Sequence, residues 1–104
     1  MKFNIEFTKR AVKELKKLPI QTQKIILKES LVLESDPFQF KKKIKRIKGF
    51  KFPCYRLRVD TSNDSYRLFY GIDKDIIYIL RIISKKDADK IISRLRSTEF
   101  PPES

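Results

Sequence analysis

Between Cys54 and Gly71 the chain runs twice through a two-residue alternation, as Cys-Tyr-Arg-Leu-Arg-Val-Asp over 54–60 and Ser-Tyr-Arg-Leu-Phe-Tyr-Gly over 65–71. Successive side chains of a strand leave on opposite faces. Leu57 and Val59 therefore turn to a core, and Arg56 and Arg58 share the other face. The polar stretch Thr61-Ser-Asn-Asp-Ser65 predicts a hairpin turn. Pairing across it adds Arg67 to the arginine face, with Tyr66, Leu68 and Tyr70 on the buried side. Asp60 and Asp64 are the nearest acids that could partner these arginines across strands.

The remaining pattern frames that hairpin. Lys2 to Phe7 alternates, with Phe3, Ile5 and Phe7 on one face. Thr8 can cap a helix whose stripe is Ala11, Val12, Leu15 and Leu18. Pro19 ends it and opens a second helix at its first position, running to about Glu34 with Ile25, Ile26, Leu27, Leu31, Val32 and Leu33. Ser35-Asp36-Pro37 is a stop. Residues 41–51 read KKKIKRIKGFK, a loop entering an edge strand. Lysines there fit either a guarded sheet edge or an RNA contact through Lys43, Lys45, Arg46, Lys48 and Lys51. A turn near Asp73-Lys-Asp75 leads to Ile76–Ile83, an apolar run expected to be covered on both faces. Ser84-Lys-Lys-Asp87 has capping-box spacing and opens a last helix carrying Ala88, Ile91, Ile92 and Leu95. Residues 99–104 are expected to form a loose tail. The order predicts one α+β domain over 1–104. An N-terminal strand and helical hairpin pack on a mainly antiparallel sheet of four or five strands, followed by a C-terminal helix, with the helices gathered on one face.

Composition sharpens the picture. Lys and Arg number 25 against 13 Asp and Glu, a formal charge of +12 over 104 residues. That excess implies a polyanionic partner. There is no histidine, which removes His-based acid/base catalysis and the Ser-His-Asp triad. Cys54 is the only cysteine, so no disulfide framework exists, and a small buried residue is its ordinary role. Acids are scattered without a paired spacing, so no metal or cofactor is called for. No apolar run reaches the roughly 18 residues of a bilayer span. The expected location is the cytoplasm.

The segments Leu15-Lys-Lys-Leu-Pro19, the Lys-Gly-Phe close of Ile44–Phe50, Tyr55-Arg-Leu-Arg-Val59, Tyr66-Arg-Leu-Phe-Tyr70 and Ile79-Leu-Arg-Ile-Ile-Ser-Lys-Lys-Asp87 come in an order and spacing that resembles the RelE/ParE superfamily of type II toxins. Resemblance to the RelE branch implies a RelE-like microbial RNase fold and a metal-independent endoribonuclease. Such an enzyme enters the ribosomal A site and cuts mRNA there by attack of the ribose 2′-hydroxyl on the adjacent phosphate. It also implies a small cognate antitoxin, expected to bring an acidic amphipathic segment that covers Arg56 and Arg67 or displaces the last helix. The residues matching the family's basic positions are Arg56, Arg58, Arg67 and Lys86, with Lys85 beside it and Arg81 on the preceding strand as RNA contacts. The tyrosine that this branch carries on its last helix is Ile92 here. The ParE branch implies gyrase poisoning without nuclease chemistry, and a third reading is a degenerate member that binds RNA or antitoxin and cleaves nothing.

Overall fold

The computed structural model describes residues 2–102. The elements are β1 (Asn4–Phe7), α1 (Lys9–Lys16), α2 (Ile20–Ser30) with a 3-10 turn over Leu31–Glu34, β2 (Ile44–Ile47), β3 (Cys54–Asp60), β4 (Ser65–Asp73), β5 (Ile76–Ser84) and α3 (Lys85–Leu95). The five strands form one sheet in the order β1-β5-β4-β3-β2. Only the β1–β5 pair is parallel; the other three are antiparallel. Among the described residues no helix is long and apolar enough to cross a membrane.

Local chemistry accounts for most boundaries. The Thr8 hydroxyl accepts the Ala11 N–H and caps α1 as expected. Pro19 sits one position earlier than expected, as the N-cap of α2 with Ile20 the first helical residue. Ser84 caps α3 without a bond to its backbone; its hydroxyl instead donates to the Asp87 carboxylate at 3.1 Å. The capping box is thus closed between side chains.

The helices do not gather on one face. Ala11 and Leu15 of α1 and Ile26 of α2 pack with Tyr55, Leu57, Val59, Tyr66, Leu68 and Tyr70, while Ala88 and Leu95 of α3 pack with Phe69, Leu80 and Ile83. Neighbours such as Leu68 and Phe69 belong to different clusters, so α3 lies across the sheet from the helical hairpin. The apolar run of β5 has this cause: a strand covered on both faces is apolar at every position. The β4–β5 register shifts at Phe69/Tyr70, where Leu80 is the extra residue on β5. Tyr70 keeps its place on the hairpin side, fully buried, its hydroxyl donating to the Pro37 carbonyl at 2.5 Å.

The α2 stripe is only partly used. Ile26 and Leu33 are buried, whereas Ile20, Leu27 and Leu31 remain 62%, 43% and 56% exposed.

The tail expected to be loose is docked as far as Phe100, which stacks on Phe52 at 4.2 Å and meets Tyr78 edge-on at 5.7 Å. Gly71 makes the seat: a Cβ there would stand 2.5 Å from Phe100 and 2.9 Å from Phe52. Gly71→Ala is expected to lose about 1–3 kcal/mol by overpacking. The same change in a Phe100→Ala background should cost clearly less, and denaturant titration of the four proteins reads the difference. Residues 103 and 104, the end of that predicted tail, lie outside the described residues.

Candidate functional site

The hairpin places its arginines as the alternation predicts. Arg58 and Arg67 stand directly opposite each other across β3 and β4, and Arg56 lies two residues along β3 opposite Phe69. Like charges paired across strands destabilise a sheet. The Arg58–Arg67 pair therefore carries a structural cost.

The hydrogen bonds leave this charge partly unused. One terminal Arg56 nitrogen is buried with no partner. The Arg58 Nε lies 3.3 Å from the Asp60 carboxylate, close enough for an ion pair but not aligned as a hydrogen bond. Their side chains are 40% and 49% exposed, so we count this contact as electrostatic only, and a weak one. Arg67 is better held, donating to the Ser65 hydroxyl at 2.7 Å and the Tyr66 carbonyl at 3.2 Å. Ser65 in turn donates to Asp60 at 2.6 Å. One carboxylate therefore tethers two of the three guanidiniums, one directly and one through a hydroxyl.

Electrostatics follows from that geometry. Burial, then the neighbouring Arg58, lowers the Arg56 pKa; burial, then Arg56, lowers that of Arg67. Both remain cations, since arginine starts so high. The Ser65 hydroxyl, followed by Arg58, Arg67 and Lys43, holds the Asp60 carboxyl below its usual range against a weaker opposing effect of burial. Cys54 is fully buried, and burial pushes its thiol up to about 12, which makes it unreactive.

The other predicted basic residues divide. Lys45 stands opposite Arg56 and extends the cationic row onto β2. Lys85 and Lys86, in the first turn of α3, line a polar cleft of about 760 Å³ with Asp60, Ser65, Ser84, Asp89 and the hairpin turn. That cleft adjoins the arginines through Asp60 and Ser65. Lys43 turns to Glu29 of α2 at 3.3 Å, and Arg46, opposite Tyr55, lies over that ring instead. Lys51 lies beside Arg96 at the end of α3, and the Lys48 carbonyl accepts an Arg96 N–H there. Ile92 packs on the α3-side cluster and offers no functional group.

Arg81, expected as an RNA contact, already has a partner in the fold. Its guanidinium donates to Glu14 at 2.8 and 3.0 Å, and its side chain is 11% exposed. This ion pair joins α1 to β5 and engages the Arg81 guanidinium within the fold. Sequence reading missed Ser65 and Glu14. Counting back across the hairpin from Asp60 finds Ser65; no local signal marks Glu14, one of many charges on an amphipathic helix.

Comparison with known proteins agrees with the geometry. The family described as the ParE toxin of the type II toxin-antitoxin system, parDE, matches residues 5–89. A Methanocaldococcus jannaschii protein named "Putative toxin RelE1" is 35% identical over 88 residues, covering 84% of this chain and 93% of its own. The archaeal RelE of the RelE–RelB complex from Pyrococcus horikoshii OT3 superimposes with a TM-score of 0.67 at 25% identity, over 82% of this chain and 97% of that one. The E. coli toxin RelE, as an arginine-to-alanine mutant in the free state, shares the fold with a TM-score of 0.69 at 22% identity, over 89% and 93% of the two chains. With a family match over most of its length and a relative of this similarity, the chain belongs to the RelE/ParE superfamily of type II toxins.

Proposed function

We propose that this toxin is a ribosome-dependent endoribonuclease that cuts mRNA in the A site. The observation that carries the reading is the cross-strand arginine cluster, in which Arg58 faces Arg67 and Arg56 lies two residues along the same strand. In the proposed reaction the 2′-oxygen forms a bond to the adjacent phosphorus and the bond from phosphorus to the 5′-oxygen breaks. The products are a 2′,3′-cyclic phosphate and a 5′-hydroxyl. Arg56, Arg58 and Arg67 stabilise the charge that grows on the phosphorane oxygens. Their field also favours loss of the 2′-hydroxyl proton to solvent. The leaving 5′-oxygen needs a proton that arginine does not give up, and Lys86 on the adjoining cleft supplies it.

The Pyrococcus relative is found in complex with RelB, and we propose that an antitoxin likewise neutralises this chain. An acidic amphipathic segment complements the +12 charge. The exposed Ile20, Leu27 and Leu31, beside a groove of about 520 Å³ between β1 and α2, offer it apolar contacts.

A second reading, gyrase poisoning, is favoured by the match to the ParE family. Purified protein added to a translating extract distinguishes the two. New mRNA 5′ ends inside the A-site codon are expected. Intact message together with inhibited DNA supercoiling by gyrase would replace this reading with the second.

A further inference from the structure

Residues 41–51 hold seven cations and no acid, yet β2 divides them between two sides of the sheet. Lys45 joins the arginine row. Arg46 points the other way, its guanidinium carbon 5.9 Å from the centre of the Tyr55 ring. Phe38 meets the same ring edge-on at 5.7 Å, with Phe3 behind it at 6.0 Å. Tyr55 is buried and stacks on Tyr70, so this floor is rigid. Phe38 nevertheless leaves 49% of its surface in solvent.

The loop between Phe38 and β2 adds charge at a tight turn. Lys41 and Lys42 are exposed and adopt φ values of 45° and 62°, left-handed backbone that side chains other than glycine rarely take. The Lys43 N–H donates to the Phe40 carbonyl at 2.7 Å and closes this two-residue turn, with both lysine side chains exposed. Lys43 is the one cation of the loop already matched, by Glu29.

We propose that Phe38 and Arg46, flanked by Lys41 and Lys42, form a second contact surface for single-stranded RNA, on the side of β2 away from the arginines. An unpaired base stacks on Phe38, and Arg46 and the lysines hold the adjoining phosphates. An exposed aromatic ring beside cations is the chemistry that grips single strands without regard to sequence. A strand bent around the short edge strand β2 meets Lys45 on one side and Arg46 on the other. This inference rests on the reading of the chain as a toxin that acts on RNA.

The test is direct binding of a short fluorescent single-stranded RNA to the full-length chain, every protein carrying Arg67→Ala so that the probe is not consumed. Phe38→Ala is expected to weaken binding about tenfold. Arg46→Gln should lower affinity and reduce the salt slope by about one. Phe38→Trp keeps the stacking face and should restore affinity, which a mere folding defect would not allow. Unchanged affinity in Phe38→Ala and Arg46→Gln, with a loss on Lys45→Gln, overturns the second surface while leaving the arginine face intact. Loss of antitoxin binding with RNA affinity preserved overturns it by assigning the patch to the protein partner. Absence of RNA binding by the Arg67→Ala control itself, and equally by the wild-type chain under non-cleaving conditions, removes the RNA reading altogether.

Discussion

Arg67→Ala is expected to slow mRNA cleavage about 100- to 1000-fold while leaving the fold intact. The magnitude is that of removing one preorganised donor aimed at charge developing in a transition state, roughly 3–4 kcal/mol. The stability expectation comes from the register. Arg67 faces Arg58 directly, so its removal relieves a like-charge pair. Against that stand the bonds to Ser65 and Tyr66, worth about 1 kcal/mol each. The opposed effects leave the melting temperature within a few degrees of wild type. A residue that serves only the fold would behave in the opposite way, losing activity and melting temperature together. Single-turnover cleavage and thermal unfolding of the same samples read both quantities. A mutant that cuts at more than a third of the wild-type rate would remove Arg67 from the site.

Glu14→Ala is expected to destabilise the protein by about 3–5 kcal/mol without touching the arginine cluster. β1 has four residues and β5 has nine, so the outer edge of β5 beyond Ile79 has no partner strand. The N-cap of α1 and a side chain from its last turn take its place. The Thr8 hydroxyl donates to the Leu80 carbonyl at 3.2 Å, and Glu14 accepts the Ile82 N–H at 2.9 Å while its other oxygen receives Arg81. With the Glu14 and Arg81 side chains only 19% and 11% exposed, deleting the acid strands a nearly buried cation and an edge N–H. For a chain of this size the melting temperature should fall by roughly 10–20 °C. Replacing both partners, as Glu14→Leu with Arg81→Met, should recover much of the loss, because the unpaired charge is the damaging part. A single mutant within about 0.5 kcal/mol of wild type would show that water already serves both groups.

Legibility from sequence tracked the range of the interaction. The β3–β4 hairpin and its arginine face were readable because an alternation of two and a polar turn are local facts. The same holds for the Thr8 cap and for the doubly covered β5. The side of the sheet taken by α3 was not readable, since an amphipathic stripe fixes which face of a helix is buried but not the surface that buries it. Phe100 looked like tail because its seat is an absence of side chain at Gly71, distant in sequence. The partner of Arg81 was hidden for a related reason. The place of Arg81 among basic residues suggested RNA, and only the fold brings Glu14 to it from 67 positions away. At the site, the arginines were visible as charge, whereas the Asp60–Ser65 tether depends on register across the turn.

The parallel pairing of β1 with β5 sets when the molecule can exist. Asn4–Phe7 leave the ribosome early and must wait for Ile76–Ile79 to be made. At 5–20 residues per second that gap of 72 positions lasts roughly 4–14 s. Until then the first strand has no neighbour, α1 has no edge to seal, and the sheet that carries the arginines lacks the strand against which β4 is held. The β3–β4 hairpin can pair as soon as both its strands are made, whereas the edge that β1 and α1 give to β5 closes only after that gap.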